Sequence, residues 1–308
     1  MISSVITHFG LDLNVRKCVI STFAEKQNIV KFGDSILAFN LQSLYDEANR
    51  DANNVCDSEI EFISRKSLPQ SDDAFLEAPK WFRIENVACS FIDMVGSSMI
   101  DYQAHPVTSC KIYQAFTGNL VHVWRAFGVG FFDLKGDGGF ALFDGENAVV
   151  KAFLAAEVFR SWVDLYLDAK IQKITKSNVS IKTRSSVHIG TVDVKRIGKR
   201  GTQNQNHVWL NSTINQSSKL LNIASREEDE LIASEAAYKV LKECEFINLS
   251  CDCDIWNGRK NRLWKFHEHE DLHKYGLRGG WHLKSMWCQQ HGNTYMENIF
   301  DEYGIKLA

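Results

Sequence analysis

The chain has 308 residues, a formal net charge of −3 and a hydrophobic fraction of 44%. This composition is that of an ordinary globular protein with one sizeable core, and it offers no basic field to attract nucleic acid or an anionic membrane. No apolar stretch approaches the roughly 20 residues that a bilayer requires. The N-terminus lacks the basic segment followed by a long apolar run that is typical of a secretory signal. We therefore expect a cytoplasmic protein without nucleic-acid or membrane partners. The eight cysteines are scattered, which suits reduced cytosolic thiols.

The first 85 residues differ in character from the remainder, and we expect them to form a helical or irregular N-terminal extension (residues 1–85). Apolar residues recur at helical spacing between residues 35 and 45, after Asp34, which could cap a helix. Residues 46–57 are polar and predict a loop or a fraying helix end, and residues 68–73 predict a linker. This extension could regulate the protein, support a dimer or cover the main domain.

Two short hydrophobic runs further along the chain are each associated with an acid. The run at residues 87–93 ends on Asp93, and the run that starts at Phe131 leads into a glycine-rich turn that contains Asp137. Apolar runs bounded by glycine and acids predict buried strands, and the turn predicts a hairpin. If the strands are neighbours, the two carboxylates converge, and such a pair requires a cation or a proton. Two divalent metals are the usual solution in phosphoryl chemistry, although each acid alone could be an ordinary turn residue.

Helical spacing dominates the segments on either side of the second run. Residues 97–128 predict a helix with a break near Pro106, and residues 146–170 predict a long helix with one apolar face. The order of strand, helices and hairpin is that of a ferredoxin-like palm. We therefore predict an α/β (α+β) fold, with a mostly antiparallel sheet and helices on one face. The predicted apolar stripe consists of Val149, Val150, Phe153, Leu154, Val158, Trp162, Leu165 and Tyr166.

The next segments alternate between strands and polar connections. Residues 179–192 predict a strand pair or one long strand, residues 207–210 predict a short strand, and the basic, polar residues 195–206 between them suit a hairpin tip. The later predicted elements are a helix at 233–241 and closing strands at 246–249 and 261–266.

A helix is predicted after residue 211, with Ser212 or Thr213 as its cap. Its apolar spacing leaves Asn215 and Lys219 together on the opposite face, one turn apart, where an ordinary polar face would fit equally well. A basic turn at residues 257–260 lies between the two closing strands.

The C-terminal tail, residues 267–308, is rich in His and Trp and is predicted to be an extension. Trp281 and Trp287 are expected to anchor it by packing. Four potential zinc ligands lie in and before the tail, but no Cys-x-x-Cys pair supports a zinc site, and the sequence favours the packing interpretation. These potential ligands are Cys251, Cys253, Cys288 and His291.

The two acidic motifs resemble those of a known family. The run FIDMVGS at residues 91–97 is similar to the first metal motif of class III nucleotidyl cyclases, and KGDG at residues 135–138, ahead of an apolar strand, is similar to the second. The resemblance covers residues 86–266, which we expect to be the catalytic domain between the two extensions. It implies the conversion of a nucleoside triphosphate to a 3′,5′-cyclic monophosphate and pyrophosphate with two divalent cations, Mn²⁺ or Mg²⁺.

The resemblance also assigns roles to particular residues. Asp93, Met94 and Asp137 are the candidate metal ligands. Asn215 would orient the ribose and Lys219 would stabilise the transition-state charge, and in the family both come from the partner subunit, which implies a homodimer with shared sites. The candidate triphosphate contacts are Gly96, Ser97, Ser98, Arg259 and Lys260.

Two positions depart from the family pattern. Asn211 stands where glycine is common, and Lys219 stands where arginine is usual; lysine keeps the charge but lacks the bidentate fork. These departures motivate an alternative function as a nucleotide-binding pseudo-cyclase without turnover. A diguanylate cyclase is a further rival, but the second acid that it requires at the hairpin is missing.

The base-selecting positions hold Asp133 and Val208, which fit neither purine pattern of the family. This divergence resembles the pyrimidine cyclases of the bacterial Pycsar antiphage systems, whose products act through a separate cyclic-nucleotide effector. The resemblance implies a uridylate cyclase that makes cyclic UMP from UTP. The alternatives, in order, are a cytidylate cyclase, an adenylate or guanylate cyclase, and the pseudo-cyclase.

Overall fold

The structure, a computed structural model, describes residues 28–32, 35–39, 41–69, 80–175, 180–198, 205–224, 230–254, 257–284, 288 and 290–308. The chain divides into two compact units, residues 1–61 and residues 62–308. None of the helices in the described ranges combines the length and apolar character that a membrane span requires.

The first unit contains an antiparallel hairpin and one helix. The strands β1 (Asn28–Phe32) and β2 (Ser35–Phe39) pair along their full length, and α1 (Leu41–Cys56) follows. The predicted helix at residues 35–45 is therefore wrong over β2, and its proposed cap, Asp34, lies outside the described residues. A continuous apolar run of this length fits a strand as well as a helix, and here the pairing with β1 decides the outcome.

The second unit is built on a nine-stranded sheet. Its strand order is β10-β11-β9-β7-β4-β6-β5, with β3 paired to β4 and β8 paired to β7. Strands β7 and β9 are parallel, and the other strand pairs whose register the described residues give are antiparallel. The strands are β3 (Glu61–Arg65), β4 (Lys80–Val95), β5 (Phe131–Lys135), β6 (Gly138–Phe143), β7 (Lys182–Gly198), β8 (Gln205–Leu210), β9 (Glu230–Ala233), β10 (Trp264–Glu268) and β11 (Gly279–Leu283).

Nine helices accompany this sheet in the described part of the second unit. They are α2 (Ser97–Gln103), α3 (Pro106–Ala126), α4 (Ala148–Trp162), α5 (Asp168–Thr175), α6 (Ser212–Ile223), α7 (Glu235–Leu241), α8 (Glu245–Asn248), α9 (Glu270–His273) and α10 (Gly292–Tyr303). A π-helical segment, Val163–Leu167, joins α4 to α5. The predicted break near Pro106 is confirmed, since Pro106 is the first residue of α3.

The core lies mainly between the sheet and helices α3 and α4. Alternate residues of β4, such as Ala88 and Ile92, face this layer and are buried against Phe116 and Phe153. The predicted α/β class with a mostly antiparallel sheet is confirmed. Helix α6 adds cover on the second face, where the Ser217 hydroxyl donates to the carbonyl of Cys89 at 3.2 Å.

The π-helical segment changes one detail of the predicted core. Leu165 and Tyr166 belong to the predicted apolar stripe, yet they are 47% and 67% exposed. A π turn adds a residue per turn and rotates the side chains that follow. The apolar stripe therefore ends at Trp162, and within the π-helical segment the buried side chains are Val163 and Leu167.

The sheet extends across both predicted domain limits. Strand β4 begins before residue 86, and β11 lies beyond residue 266 but pairs with β9 and β10. The predicted strand at residues 246–249 is wrong, because α8 occupies most of it and only a bridge between Leu249 and Arg262 remains. Four apolar and polar residues are too few for periodicity to separate a helical turn from a strand.

The predicted packing role of Trp281 is confirmed. Its ring stacks on Tyr238 with centroids 3.8 Å apart and contacts Phe266 at 5.5 Å. Trp287 lies outside the described residues, as do residues 199–204 at the tip of the predicted hairpin arm.

Candidate active site

The two acids meet at one end of the sheet, as the sequence predicts. Asp93 lies near the end of β4, opposite Gly138 on β6, and Asp137 occupies the turn just before Gly138. The Met94 amide donates to the carbonyl of Asp137 at 3.2 Å. A Cβ at position 138 would collide with the carbonyl of Ile92 and lie 3.1 Å from an Asp93 carboxylate oxygen. Glycine at this position therefore allows the hairpin to bring Asp137 beside Asp93.

The carboxylates are electrostatically coupled. Burial raises the pKa of Asp93, and the nearby charge of Asp137 raises it further, while Arg184 opposes both effects. The Arg184 guanidinium donates to Asp93 through two nitrogens, at 2.9 and 2.5 Å. Its remaining nitrogen is buried without a hydrogen-bond partner in the described residues. A cation between the two acids would relieve their repulsion, and this arrangement fits a metal site.

Sequence reasoning missed Arg184. It lies on β7 directly opposite Asp93, 91 positions away along the chain. The signal available in the sequence is an arginine inside a predicted buried strand, because such a charge requires a partner. Only the register of β4 against β7 identifies that partner.

Met94 can offer a metal only its main-chain oxygen. Its side chain is 2% exposed and packs in the core beneath the sheet. A carbonyl oxygen and two carboxylates are the hard oxygen donors that Mg²⁺ and Mn²⁺ prefer. The donor set of Asp93, Met94 and Asp137 thus suits these cations.

The segment after Asp93 turns sharply into α2. Gly96 has φ of 79°, in the left-handed region, and it precedes the first helical residues, Ser97 and Ser98. Tyr113 on α3 donates to the carbonyl of Ser97 at 3.4 Å and fixes the turn against the neighbouring helix. Gly96, Ser97 and Ser98, the predicted phosphate contacts in this turn, therefore follow Asp93 and Met94 along the chain with one residue between.

Asn215 and Lys219 lie on the face of α6 that points away from the sheet. Ser217 between them bonds to the Cys89 carbonyl, so its side chain faces β4. Two residues along a helix correspond to a rotation of about 200°, which directs both neighbours outward. Asn215 is exposed, and the Lys219 ammonium lies 5.0 Å from the centre of the Tyr275 ring.

The two predicted base contacts lie on strands that meet through aromatic side chains. Asp133 is on β5 and Val208 is on β8, and the rings of Phe131 and Trp209 on these strands are 4.6 Å apart. The Asp133 carboxylate is half-buried and pairs with the Lys135 ammonium at 2.7 Å.

The basic turn at residues 257–260 already has an acidic partner. Lys260 forms an ion pair with Glu245 at 2.6 Å, and this hydrogen bond raises the pKa of Lys260. Arg259 is exposed beside it. Lys260 would have to leave Glu245 to contact a triphosphate, whereas Arg259 is the more accessible of the two.

Known proteins resemble the chain in sequence and in fold. A uridylate cyclase from Propioniciclava tarda is 27% identical over 262 residues, covering 84% of this chain and 83% of that protein. A uridylate cyclase from Micromonospora echinofusca is 25% identical over 233 residues, 73% of each chain. The solved structure of the adenylyl cyclase CyaB from P. aeruginosa matches with a TM-score of 0.53 at 11% identity, covering 68% of this chain and 97% of that one. No family model matches.

The fold is that of a class III cyclase catalytic domain. The similarity in sequence and the shared fold arise from independent comparisons, and both lead to the family that the acidic motifs resemble. Together they support a nucleotidyl cyclase enzyme.

Proposed function

We propose that the chain is a uridylate cyclase that converts UTP to 3′,5′-cyclic UMP and pyrophosphate. The observation that carries the proposal is the convergence of Asp93 and Asp137 at one end of a cyclase sheet. The two relatives named uridylate cyclase support the choice of substrate. The paired acids also argue against a pseudo-cyclase, because a module that only binds nucleotide has no need of two metal carboxylates.

Two divalent cations, Mg²⁺ or Mn²⁺, would be held by Asp93, Asp137 and the carbonyl oxygen of Met94. When bound, such cations lower the pKa of the attacking 3′-hydroxyl and neutralise charge on the triphosphate. Arg184 keeps the Asp93 carboxylate oriented and opposes the rise in its pKa, which favours the ionised form that binds a metal.

The remaining polar groups would position the substrate. The backbone amides of Gly96, Ser97 and Ser98 follow the metal ligands directly and would face phosphate oxygens. Lys219 would stabilise charge that develops on the triphosphate, and Asn215 would hold the ribose. Arg259 and Lys260 would bind the outer phosphates.

We further propose a homodimer in which each site uses two subunits. Asn215 and Lys219 point away from the sheet that carries Asp93, because Ser217 between them faces that sheet. Their side chains would therefore serve the metal ligands of a second copy. A head-to-tail arrangement would produce two such sites.

Base selection is assigned to Asp133 and Val208. A carboxylate only accepts hydrogen bonds, so it favours a base edge that offers a donor, such as the central N3–H of uracil. One such contact discriminates by about 1–3 kcal/mol, or about 5- to 150-fold. The rings of Phe131 and Trp209 have centroids 4.6 Å apart on the face of the sheet that carries Asp133, and they would limit the room for a purine there.

The test is incubation with each of the four ribonucleoside triphosphates and Mn²⁺, with products identified by mass spectrometry. We expect cyclic UMP to predominate, with cyclic CMP second. Faster formation of cyclic AMP or cyclic GMP would make the protein a purine cyclase, and tight nucleotide binding without product would make it a pseudo-cyclase.

A matched pair of variants tests base selection separately. Asp133→Ala should lower the preference for UTP by about 5- to 150-fold while the Mn²⁺ dependence is retained. Lys135→Ala removes the ion-pair partner of Asp133 but leaves its carboxylate, and it should keep the preference. Equal effects of the two variants would contradict the role of Asp133.

The product would act as a second messenger in bacterial antiphage defence, through a separate cyclic-nucleotide effector in the cytoplasm. This part rests on the resemblance to pyrimidine cyclases. Phage plating on cells that carry the system, with wild-type protein or with Asp137→Asn, measures it. Equal plating efficiency would contradict a role in defence.

A further inference from the structure

Four side chains with metal-binding atoms converge beside the C-terminal helix, and none of them is among the residues proposed for cyclisation. The Cys251 and Cys253 sulfurs are 3.0 Å apart, and the Cys288 sulfur lies 3.1 Å from Nδ1 of His291. All four ligand atoms lie within 4.8 Å of one another. Cys251 is buried, and the other three are half-buried, so the cluster is enclosed but reachable by a small ion.

The geometry suits one cation in particular. Zinc in structural sites is tetrahedral, with Zn–S near 2.3 Å and Zn–N near 2.0 Å, which places ligand atoms about 3.8 Å apart. The observed separations bracket this value, so displacements of less than an ångström would complete the tetrahedron. We propose that Cys251, Cys253, Cys288 and His291 form a structural Zn²⁺ site.

The backbone around the ligands is already ordered for such a site. The amides of His291 and Gly292 both donate to the carbonyl of Cys288, at 3.2 and 3.0 Å, and form the turn that leads into α10. On the other side, the Gly258 amide donates to the Cys253 carbonyl at 3.2 Å. Backbone hydrogen bonds thus hold the chain at Cys253 and at Cys288, and a site whose ligands are already positioned costs less ordering entropy on binding.

A zinc ion would join two segments of the chain. One segment leads from α8 towards β10, and the other begins α10. Helix α10 then packs on the core through Ile299 and receives a hydrogen bond from Asn147 to the carbonyl of Tyr303, at 2.8 Å. The ion would fix the start of this helix, and its coordination sphere is closed, which indicates a structural role rather than a catalytic one.

A disulfide is the competing use of these thiols. The separation of 3.0 Å between Cys251 and Cys253 exceeds a disulfide bond length of about 2.05 Å. A bond between residues two positions apart would also leave Cys288 and His291 beside each other without a shared role. Zinc uses all four groups.

The experiment measures zinc in full-length protein purified without a metal-affinity tag. Inductively coupled plasma mass spectrometry should give one zinc per chain. A mercurial reagent that blocks the thiols should release this zinc, which a chromogenic chelator then detects. Protein reconstituted with Co²⁺ alone should show the visible bands of tetrahedral thiolate coordination. Cys253→Ser, Cys288→Ser and His291→Ala should each lose most of the zinc and lower the melting temperature.

Two controls separate this site from others. Cys110→Ser changes an exposed cysteine on α3 and should keep the full zinc content. Asp93→Asn combined with Asp137→Asn removes the proposed cyclase cations and should also keep it. The proposal is overturned if the wild-type protein neither contains zinc nor binds added Zn²⁺, if the ligand variants retain zinc, or if peptide mapping finds a Cys251–Cys253 disulfide.

Discussion

At the scale of single residues, the candidate site combines two acids that the sequence identifies with an arginine, Arg184, that the sequence alone does not connect to them. Asp93 and Asp137 are recognisable because short apolar runs and a glycine-rich turn surround them. Arg184 is not, because its partner lies 91 positions away and only the strand register joins them. The four proposed zinc ligands were visible as residue types, but the two pairs lie 35 positions apart, from Cys253 to Cys288, and the fold alone brings them together.

The two acids are expected to be required for turnover. Asp93→Asn and Asp137→Asn each replace a carboxylate by an amide of the same shape, so they remove a metal ligand without a cavity. A Lewis-acidic cation contributes several kcal/mol to such a reaction, and we expect initial rates to fall by about 100-fold or more. Steady-state assays at saturating Mn²⁺ measure this, with melting temperatures to verify folding.

Asp164→Asn supplies the control for these two variants. Asp164 is exposed in the π-helical segment, and the same chemical change there should leave the rate unaffected. A wild-type rate in Asp93→Asn or Asp137→Asn would remove the metal site from the proposed mechanism.

At the scale of elements, local patterns predicted what local forces determine. The hairpin, the broken helix at Pro106 and the long core helix follow from turn chemistry and apolar spacing. Strands β9 and β11 were missed, because β9 has four residues and β11 opens on two glycines, so neither shows periodicity. Their place in the sheet depends on distant partners, which a sequence pattern does not contain.

The start of α6 illustrates how one residue adapts an element to an unusual backbone. Asn211 has φ of 83° and ψ of 167°, a region occupied almost only by glycine. Its side chain compensates by accepting from the Ser212 amide at 2.9 Å and donating to Asp193 at 3.3 Å. This conformation explains why the family commonly has glycine here.

Replacement at Asn211 should therefore separate strain from capping. Asn211→Gly loses the same two side-chain hydrogen bonds as Asn211→Ala but relieves backbone strain of about 1–3 kcal/mol, so it should be the more stable of the two variants. Asn211→Ala keeps the strain and loses both hydrogen bonds, and it should destabilise by about 1–2 kcal/mol. Urea unfolding of the three proteins measures the order. Asn211→Ala at least as stable as Asn211→Gly would contradict this account.

At the scale of the whole molecule, folding stability should depend on pH through a buried histidine. Burial lowers the pKa of His188 to about 4, whereas a hydrogen bond to Gln216 opposes the shift. Glu235 and Arg278 line the cavity beside it and pair with each other at 3.1 Å. His188 is therefore neutral in the folded protein at neutral pH.

The sign of the pH dependence follows from proton uptake on unfolding. Between pH 6.5 and 4 the unfolded chain binds a proton at His188 that the folded protein does not, so stability is complete above about pH 6.5 and is lost as pH falls. The loss from this group between pH 7.5 and pH 5 is on the order of 2 kcal/mol. Urea unfolding at both pH values should show a smaller loss for His188→Gln than for wild type. His273→Gln, at an exposed histidine, should lose as much stability as wild type between the two pH values. If His188→Gln also loses as much as wild type, the pH dependence does not come from His188.

The shared-site dimer is the prediction that concerns two molecules at once. Asp93→Ala and Lys219→Ala should each be inactive alone, because every homodimer lacks one group in both sites. After subunit exchange in an equimolar mixture, half of the dimers are heterodimers, and one of the two sites in each is intact. Activity should thus recover to about a quarter of the wild-type value. A mixture of Asp93→Ala with Asp137→Ala is the matched control: both changes affect the metal-binding side of the site, so every heterodimer site remains defective and no activity should return. Recovery in the first mixture alone would support sites built from two subunits, whereas no recovery despite demonstrated exchange would mean that each chain holds a complete site.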